Sequence, residues 1–265
     1  MRRRLDTELV RRGLVASRTE AQAAVDAGLV TVGGRPAGKP STMVADSEPL
    51  AVAGPPRRFV SRGGDKLEAA LDRFGVDPRG LDSMDAGAST GGFTDVLLRR
   101  GAARVLAVDV GYGQLAWSLR QDPRVTVMER TNVRDLRPGD LGFEPALVVA
   151  DLSFISLRLA LPALAGVAGA RARFVLLVKP QFEVGPARVG SGGVVRDPDA
   201  WRAALEGVRD SLAGLGLPVV GAMASPVRGP AGNVEFLVLA APRGAPAELD
   251  DAIAEGLAVR DGDRS

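Results

Sequence analysis

Three lysine residues stand out in a chain whose other basic residues are all arginine. Of the 34 basic residues, only Lys39, Lys66 and Lys179 are lysine. A GC-rich genome accounts for an arginine bias, but a retained lysine can mark a place where arginine cannot serve, because only a desolvated lysine can lose its proton at workable pH. The chain has no histidine and no cysteine, so acid–base chemistry must come from Asp, Glu, Lys or the single Tyr112.

Two carboxylates occur where they could meet these lysines. Asp151 ends a predicted apolar strand in the segment VVADLSF, and Lys179 ends the next predicted strand in LLVKPQFE. Ionisable side chains at the mouths of adjacent apolar strands cost desolvation free energy unless they pair or react. Glu235 lies in the apolar segment GNVEFLVL, so we expect it to meet a lysine as well. A purely structural salt bridge is the alternative explanation.

Lys66 completes a candidate site of four charged side chains. It lies in the first turn of a predicted amphipathic helix that begins near Ser61, where a cation opposes the helix dipole. Two neighbouring lysines each disfavour a second positive charge, while carboxylates orient the ammonium groups. Lys66, Asp151, Lys179 and Glu235 together could activate a weakly acidic hydroxyl group near neutral pH, which is difficult without histidine.

The stretch Asp85-Ala-Gly-Ala-Ser-Thr-Gly-Gly-Phe-Thr-Asp95 predicts a ligand-binding turn between a strand and a helix. Its glycines at positions 87, 91 and 92 remove side chains where a ligand would approach the backbone, and the helix N-terminus offers free N–H groups. We therefore expect a nucleotide-like ligand at this turn. A plain strand-to-helix turn is the simpler alternative.

Two further strand ends offer polar side chains to the same ligand. Asp109 ends the second predicted strand, 22 residues after Gly87, where a carboxylate commonly accepts hydrogen bonds from ribose hydroxyls. It could instead cap the turn before Gly111. After the third strand, Asn132 or Asp135 could face the edge of an adenine ring, and the sequence does not separate the two.

The order of elements predicts an α/β fold with a Rossmann-like, mostly parallel sheet. The expected strands lie at 83–86, 104–110, 125–128, 146–150 and 174–178, and the helices near 92–100, 114–120, 157–167 and 198–214. Two late strands at 218–224 and 234–240 have no helix between them and should form an antiparallel pair. Ligands bind at the carboxyl ends of parallel strands, so the candidate residues should share one edge of the sheet.

Residues 1–60 are expected to form a small α+β domain, and residues 61–265 the larger α/β domain. Two short helices and a hairpin that turns at Gly33-Gly34 make up the first, and Gly54-Pro55-Pro56 is a stiff linker. Residues 1–62 hold 11 basic and 6 acidic residues, a net charge of +5, against +2 for the whole chain. The small domain is therefore expected to bind a polyanion.

The sequence shows neither a membrane span nor a secretory signal. A span needs roughly 18 apolar residues, but the closest run, 159–170, contains Pro162 and two glycines. The chain begins with Met-Arg-Arg-Arg and polar residues rather than with an apolar segment. We therefore expect a cytoplasmic protein.

The N-terminal segment LVRRGLVASRTEAQAAVDAGLVTVGGRPAGKPS resembles the αL-type RNA-binding module of a small-subunit ribosomal protein, pseudouridine synthases and bacterial tyrosyl-tRNA synthetases. The resemblance implies that the second helix and the loop after it carry basic side chains to structured RNA. By position, Arg18 and Lys39 are the implied main contacts, with Arg3, Arg4 and Arg12 as weaker ones. Arg62, in the segment SRGGDKL, belongs to the same expected RNA-binding set.

The remainder of the chain resembles the FtsJ-like 2′-O-ribose methyltransferases. Lys66, Asp151, Lys179 and Glu235 match the Lys-Asp-Lys-Glu tetrad of that family in order and context, and DAGASTGGFTD is similar to its S-adenosylmethionine motif. With the N-terminal module included, the chain resembles the TlyA family of rRNA cytidine-2′-O-methyltransferases, also labelled haemolysin-like. The motifs that carry this resemblance are SRGGDKL, DAGASTGGFTD, DLSFISL, KPQFE, GGVVRDP and GNVEF.

The resemblance implies methyl transfer from S-adenosylmethionine to the ribose 2′-hydroxyl of a cytidine in ribosomal RNA. Large-subunit RNA is the implied substrate, with small-subunit RNA as a further candidate. Lys179 would be the central base or the residue that orients the hydroxyl group, tuned by the other three tetrad residues, and no metal would be required. The implied cofactor-binding residues are Asp85, Gly87, Ser89, Gly91, Gly92, Asp109 and Asn132. The modified nucleotide and the oligomeric state stay open.

Other functions fit the sequence less well. An NAD-dependent oxidoreductase shares the glycine turn and Asp109, but the spacing here is G-x-x-x-G-G and not G-x-G-x-x-G. A base-amino methyltransferase would carry an Asn/Asp-Pro-Pro-aromatic run where this chain has Asp151-Leu-Ser-Phe154. The last alternative is an RNA-binding protein with haemolysin-like membrane activity and no methyl transfer, which the missing span and signal disfavour.

Overall fold

The computed structural model describes residues 2–15, 18–53 and 58–262. The linker predicted at 54–56 therefore lies outside the described residues. Within them, a small N-terminal α+β unit is followed by a seven-stranded sheet with helices on both faces. This architecture confirms the predicted fold class.

The N-terminal unit has a hydrophobic core of its own. Its elements are β1 (Arg2–Arg4), α1 (Leu5–Arg11), α2 (Arg18–Asp26), β2 (Val30–Val32), β3 (Arg35–Pro36), β4 (Met43–Ala45) and β5 (Leu50–Val52). Leu5 and Leu9 of α1 pack with Val25 of α2 because the apolar residues of each helix share one face. Strand β2 pairs with β3 across Gly33-Gly34, whose φ values of 56° and 79° suit glycine.

The larger sheet is parallel except at one edge. Its strands are β6 (Asp82–Ala86), β7 (Arg104–Val108), β8 (Val125–Met128), β9 (Leu147–Ala150), β10 (Arg173–Val178), β11 (Val219–Ala224) and β12 (Phe236–Ala240). The spatial order is β11-β12-β10-β9-β6-β7-β8, with β12 antiparallel to both β10 and β11. The chain runs outward from β6 to β8 and then crosses back to β9. This switch point opens a crevice beyond the carboxyl ends of β6 and β9.

Two hydrophobic cores lie on opposite faces of this sheet. The helices are α3 (Gly63–Phe74), α4 (Gly92–Arg99), α5 (Trp117–Arg120), α6 (Leu157–Val167), α7 (Pro180–Glu183), α8 (Pro198–Gly214) and α9 (Asp250–Asp261). Helices α3 and α4 cover the core that contains Val149, whereas α6, α8 and α9 cover the core that contains Val148. Neighbouring strand residues enter different cores because successive side chains point to opposite faces.

The bounds differ from the predicted ones near the carboxyl ends of the strands. The strand predicted at 104–110 ends at Val108, whose carbonyl accepts hydrogen bonds from Gly87 N and Ala88 N and joins the glycine turn. The strand predicted at 234–240 begins at Phe236, so Glu235 precedes the strand and is not within it. Helix α9 packs against β11 and buries its alanine at position 252, which ties the C-terminal segment to the sheet.

Candidate active site

A cavity of about 370 Å³ opens at the carboxyl ends of β6, β9 and β10. The starts of α3 and α4, the strand ends and the segment before β12 form its walls. The residues that line it are Glu20, Ser61, Arg62, Gly63, Lys66, Gly87, Ala88, Ser89, Thr90, Gly92, Phe93, Asp151, Ser153, Lys179, Arg228, Pro230 and Glu235.

Lys66 and Glu235 form a buried ion pair at this cavity. Their side chains are 8% and 1% exposed, and the Lys66 ammonium group donates a hydrogen bond to Glu235 Oε2. Leu67 and Leu71 lie on the apolar face of α3, which packs against the sheet. Lys66, on the same helix, lines the cavity. On the other side, a Cβ on Gly229 would lie 2.4 Å from Glu235 Oε1, so the carboxylate packs directly against that backbone. Each buried charge is therefore compensated by the other.

Lys179 pairs with Asp151 and with a serine that was not predicted. The Lys179 Nζ atom lies 2.5 Å from Asp151 Oδ1 and donates a hydrogen bond to Ser153 Oγ at 2.8 Å. The contact with Asp151 is an ion pair without hydrogen-bond geometry, so of the three hydrogens of the Lys179 ammonium group only the one donated to Ser153 is used and the others can face a ligand in the cavity. Ser153 lies in the motif DLSFISL, and this position is the only feature of the sequence that points to a role for it in the site.

The sheet brings all four predicted tetrad residues to one cavity. Asp151 and Lys179 follow the neighbouring parallel strands β9 and β10, and Glu235 precedes β12, which is hydrogen-bonded to β10. Lys66 comes from α3, which packs on the same edge. Lysine nitrogens held by carboxylates beside an open cavity can orient a hydroxyl group and take up its proton.

The glycines of the turn are required by the packing of the protein itself. A Cβ on Gly87 would lie 2.6 Å from Asp151 O, one on Gly91 2.3 Å from Leu119 Cδ1, and one on Gly92 2.2 Å from Ser61 Oγ. The prediction had assigned these missing side chains to the approach of a ligand. Gly87 and Gly92 do line the cavity, whereas the described lining does not include Gly91.

Asp85 is fully buried at the end of β6, beneath the glycine turn. Burial raises the pKa of its carboxyl to about 7. The hydrogen bond from Thr94 lowers this pKa, whereas the negative charges of Asp151 and Asp109 raise it further. Thr94 Oγ1 donates that bond to Asp85 Oδ2 at 2.7 Å. Asp85 Oδ1 has no hydrogen-bond partner among the described residues. Asp85 is not among the described residues that line the cavity, so its expected contact with a cofactor stays a prediction.

Asp109 links the glycine turn to the loop after β7. Its Oδ2 accepts a hydrogen bond from Ser89 N and its Oδ1 accepts one from Gly111 N, both at 2.7 Å. Asp109 thus caps the turn before Gly111, which is the structural role considered as an alternative to ribose binding. Each carboxylate oxygen carries a second lone pair, so a ribose contact stays compatible with these bonds.

Asn132 and Asp135 belong to the turn that follows β8. Asn132 Oδ1 accepts a hydrogen bond from Arg134 N at 3.1 Å and caps a short 3-10 turn at residues 133–135. Asp135 is exposed. Neither residue appears in the described lining of the cavity. Their expected contact with adenine stays a prediction.

Four arginines expected to contact RNA are engaged within the N-terminal unit. Arg12 donates hydrogen bonds to Glu8 Oε1 and Glu48 O, both at 2.7 Å. Arg4 Nη2 and Arg18 Nη2 lie 2.8 and 3.0 Å from Asp6 Oδ2, and Arg3 pairs with Asp46. Hydrogen bonds from Arg4 and then Arg18 hold the pKa of the buried Asp6 carboxyl well below its ordinary value. The side chains of Arg4 and Arg18 are still 45% and 58% exposed, so their outer nitrogens can face a partner.

The other two basic residues of that set are exposed. Lys39 lies in the loop before β4, and its carbonyl accepts a hydrogen bond from Thr42 N. Arg62 lies at the cavity and donates a hydrogen bond to Arg228 O at 3.1 Å. The structure therefore places Arg62 beside the tetrad and the other expected contacts in the N-terminal unit.

Two further polar side chains that support the site were not predicted. Asp95 Oδ2 accepts a hydrogen bond from Val60 N at 2.9 Å, which ties the segment before α3 to α4. Asn233 accepts one from Val195 N and donates one to Gly193 O, both at 2.9 Å. Both residues lie inside quoted motifs, but periodicity and composition carry no sign of these tertiary contacts.

A second concavity of about 550 Å³ contains an exposed aromatic ring. Phe154 is 93% exposed, has a φ of 64° and lies with its ring centroid 5.5 Å from that of Phe182. A positive φ is strained for a phenylalanine and is typical of functional positions. The lining residues are Arg134, Phe154, Ile155, Ser156, Leu159, Gln181 and Phe182.

The described residues show neither a metal-binding cluster nor a membrane-spanning helix. Across the described ranges, no group of three or more acidic side chains is placed to hold a metal ion. None of the helices described has the length and apolarity needed to cross a bilayer.

Comparison with known proteins relates the whole chain to others. A profile described as FtsJ-like methyltransferase matches residues 59–241, and one described as S4 domain matches residues 3–48. The chain is 55% identical over 238 residues to the 16S/23S rRNA (cytidine-2′-O)-methyltransferase TlyA of Mycobacterium tuberculosis, covering 89% of each chain. A haemolysin-named structure from Streptococcus thermophilus matches with a TM-score of 0.79 at 39% identity, covering 99% of this chain and 98% of that one.

A more distant structure shares the fold alone. It is named as an S-adenosylmethionine dependent methyltransferase from Listeria monocytogenes and matches 69% of this chain and 100% of its own with a TM-score of 0.51 at 14% identity. The S4 match confirms the resemblance of the N-terminal segment to an RNA-binding module. With an S4 domain followed by an FtsJ-like methyltransferase domain, the chain belongs to the TlyA family of methyltransferases.

Proposed function

We propose that this protein methylates the ribose 2′-hydroxyl of a cytidine in ribosomal RNA, with S-adenosylmethionine as the methyl donor. The observation that carries the proposal is the convergence of Lys66, Asp151, Lys179 and Glu235 on one cavity beside the glycine turn. The relative from M. tuberculosis is named for this activity on 16S and 23S rRNA, which supports the same substrate class here.

The residues around the glycine turn fit S-adenosylmethionine. Backbone from Gly87 to Thr90 forms one wall of the cavity, and the buried Asp85 Oδ1 offers an acceptor that no described residue uses. When bound, the cofactor supplies a methyl group that its sulfonium has already activated. The residues that we assign to it are Asp85, Gly87, Ser89, Gly91, Gly92, Asp109 and Asn132.

Lys179 is assigned to the target hydroxyl group. With an activated methyl group, the enzyme contributes in-line positioning and removal of a proton. Asp151 and Ser153 hold the Lys179 nitrogen, which would orient the 2′-hydroxyl group and take up its proton. Lys66 and Glu235 compensate each other at the same cavity and bound the space in which the ribose lies.

We further propose a division of labour between residues 1–60 and residues 61–265. The first part carries the S4 match and a charge that favours RNA, with Arg3, Arg4, Arg18 and Lys39 as contacts. Arg62, which lines the cavity, is assigned to the same RNA. Phosphate contacts of this kind position RNA and weaken as salt is added.

The concavity around Phe154 offers a stacking surface for an unpaired base of the same RNA. An exposed aromatic ring beside Arg134 suits a nucleobase, because bases stack on aromatic side chains and on guanidinium planes. Phe154 lies three residues after Asp151, so a base stacked there would hold its ribose near the tetrad.

Transfer of labelled methyl groups to separated small and large ribosomal subunits tests the proposal. The native protein should label RNA at a cytidine 2′-oxygen, and Lys179→Ala and Lys179→Arg should both lose at least about 100-fold in rate. The arginine variant is the sharper of the two, since it can retain an ion pair with Asp151 but cannot give up its proton. Arg243→Lys, at an exposed position, is the matched control.

The outcomes separate the competing functions. No incorporation by the native protein would refute methyl transfer, and native-like incorporation by Lys179→Arg would refute the role of Lys179. Lysis of lipid vesicles without any incorporation would favour the haemolysin-like alternative. Labelling of one subunit or of both would identify the substrate.

A further inference from the structure

Two of the quoted motifs, GGVVRDP and GNVEF, meet in the structure through one side chain. Asn233 of the second motif is 2% exposed and faces the backbone of the first. Its Oδ1 accepts a hydrogen bond from Val195 N, and its Nδ2 donates one to Gly193 O, both at 2.9 Å. One amide side chain thus joins two segments that are 40 residues apart, as a peptide group does between strands.

The backbone of the same residue reaches the tetrad. Gly229 N donates a hydrogen bond to Asn233 O at 2.9 Å, and Glu235 O accepts one from Ser225 N at 2.8 Å. These bonds close a turn between β11 and β12. Because the Glu235 carboxylate packs against Gly229, its position toward Lys66 depends on the shape of this turn.

The first motif forms the base of an exposed loop. Residues 185–193 run over the surface after α7, and all but Val189 are exposed. The next segment is fixed, since Trp201 Nε1 donates a hydrogen bond to Val195 O at 2.9 Å and Trp201 is fully buried. Val195 is therefore held at its carbonyl by Trp201 and at its N–H by Asn233.

We propose that Asn233 is a positioning residue, which clamps the base of loop 185–193 to the turn that carries Glu235 and so fixes the Glu235 carboxylate against Lys66. The inference rests on the proposed function, because its effect on rate passes through Glu235. Removal of the amide leaves Val195 N–H and Gly193 O without their partners, and buried polar groups in that state rearrange to recover hydrogen bonds.

Asn233→Ala and Asn233→Asp test the clamp. Both variants should lower kcat by about tenfold or more, while the KM for S-adenosylmethionine stays within about twofold of native, since small displacements of reacting groups act on rate more than on binding. The aspartate variant keeps the oxygen that accepts a hydrogen bond from Val195 N. It replaces the donor nitrogen Nδ2 with an oxygen, which then faces Gly193 O. Gln121→Ala removes an exposed amide and should leave kcat unchanged.

Two measurements distinguish positioning from a general loss of structure. Hydrogen exchange at Val195 N–H should accelerate in Asn233→Ala, whether or not the protein methylates RNA. In a double-mutant cycle, Asn233→Ala should add little to the loss caused by Glu235→Gln, because a residue that acts through Glu235 has nothing left to position.

Several results would overturn the proposal. They are unchanged Val195 exchange, native kcat in either variant, or fully additive losses in the cycle. If the alanine variant does not fold, the aspartate variant carries the same comparisons. A native protein without methyl transfer would refute the proposed function, while the exchange measurement would still report on the clamp.

Discussion

Lys66 and Glu235 form an ion pair between residues 169 positions apart in the chain, and both side chains are almost completely buried. An isolated charge at either position would lack both water and a partner. The second lysine of the site, Lys179, is bound instead to Asp151. The site thus consists of two lysine–carboxylate pairs that line one cavity.

Loss of one member of the buried pair should destabilise the protein more than loss of both. Lys66→Met leaves Glu235 charged and buried, and we expect it to lower the free energy of unfolding by about 3–5 kcal/mol. The double variant Lys66→Met/Glu235→Gln should recover most of that loss but no methyl transfer. Urea unfolding of the three proteins measures this. Equal stability of the single and double variants would contradict a compensating pair.

Replacement of Asp85 should change stability in a manner that depends on pH. Burial raises the pKa of this carboxyl from 3.8 to about 7. Between these values the folded protein binds more protons than the unfolded chain, so the contribution of Asp85 to stability falls as pH rises through that window. Asp85→Asn, which mimics the protonated form, should therefore raise the Tm at pH 8 and have little effect near pH 4.

The expected gain at pH 8 is on the order of 2–4 kcal/mol, because each unit of pKa shift corresponds to about 1.4 kcal/mol. Calorimetric scans of the native protein and of Asp85→Asn at pH 4 and pH 8 measure the Tm difference. A Tm shift of the same size at pH 4 and pH 8 would mean that the variant acts through packing and not through charge.

Acid should unfold the N-terminal unit through Glu8. Hydrogen bonds from Arg11 and Arg12 lower the pKa of this buried carboxyl to about 2, against an ordinary 4.5. A lowered pKa contributes stability that is complete above about pH 4.5 and is lost as pH falls toward 2. The amide NMR signals of residues 5–11 should lose dispersion in that window. In Glu8→Gln the change of these signals between pH 5 and pH 3 should become smaller, and the remainder should come from Asp6, whose carboxyl pKa is also lowered.

The fold and the site could be predicted from the sequence to different depths. Apolar strands, glycine turns and the unusual lysines are local features, so the strands near Asp85, Asp151 and Lys179 were predicted within about two residues, the usual margin for element ends. Which lysine meets which carboxylate depends on how α3 packs beside β12. That choice is tertiary, and no periodicity encodes it.

The sequence also does not show which neighbouring atoms make the glycines necessary. A glycine at a strand-to-helix turn indicates close approach, but not what approaches. At Gly87 the neighbour is the carbonyl of Asp151, and at Gly91 it is Leu119. The hydrogen bonds of Ser153 and Asn233 were missed for the same reason, because their partners lie 26 and 38 or more residues away in the chain.

Gly92→Ala should disturb the site because a methyl group has no room where α3 meets α4. Its Cβ would lie 2.2 Å from Ser61 Oγ and 2.9 Å from Gly64 N. The serine hydroxyl can rotate away, but the backbone nitrogen of Gly64 cannot, so α3 must shift and carry Lys66 with it. We expect a loss of about 1–3 kcal/mol in unfolding free energy, typical of overpacking, and a lower methyl-transfer rate.

Gly166→Ala provides the matched control. Gly166 lies within α6, its φ is not positive, and a Cβ there meets no atom within 4 Å. Alanine favours a helix over glycine by up to about 1 kcal/mol, so this variant should equal or exceed native stability with unchanged activity. Chemical denaturation and single-turnover rates of both variants test the pair. Native behaviour of Gly92→Ala would show that α3 and α4 can separate without moving Lys66, and the tetrad would then not depend on this helix contact.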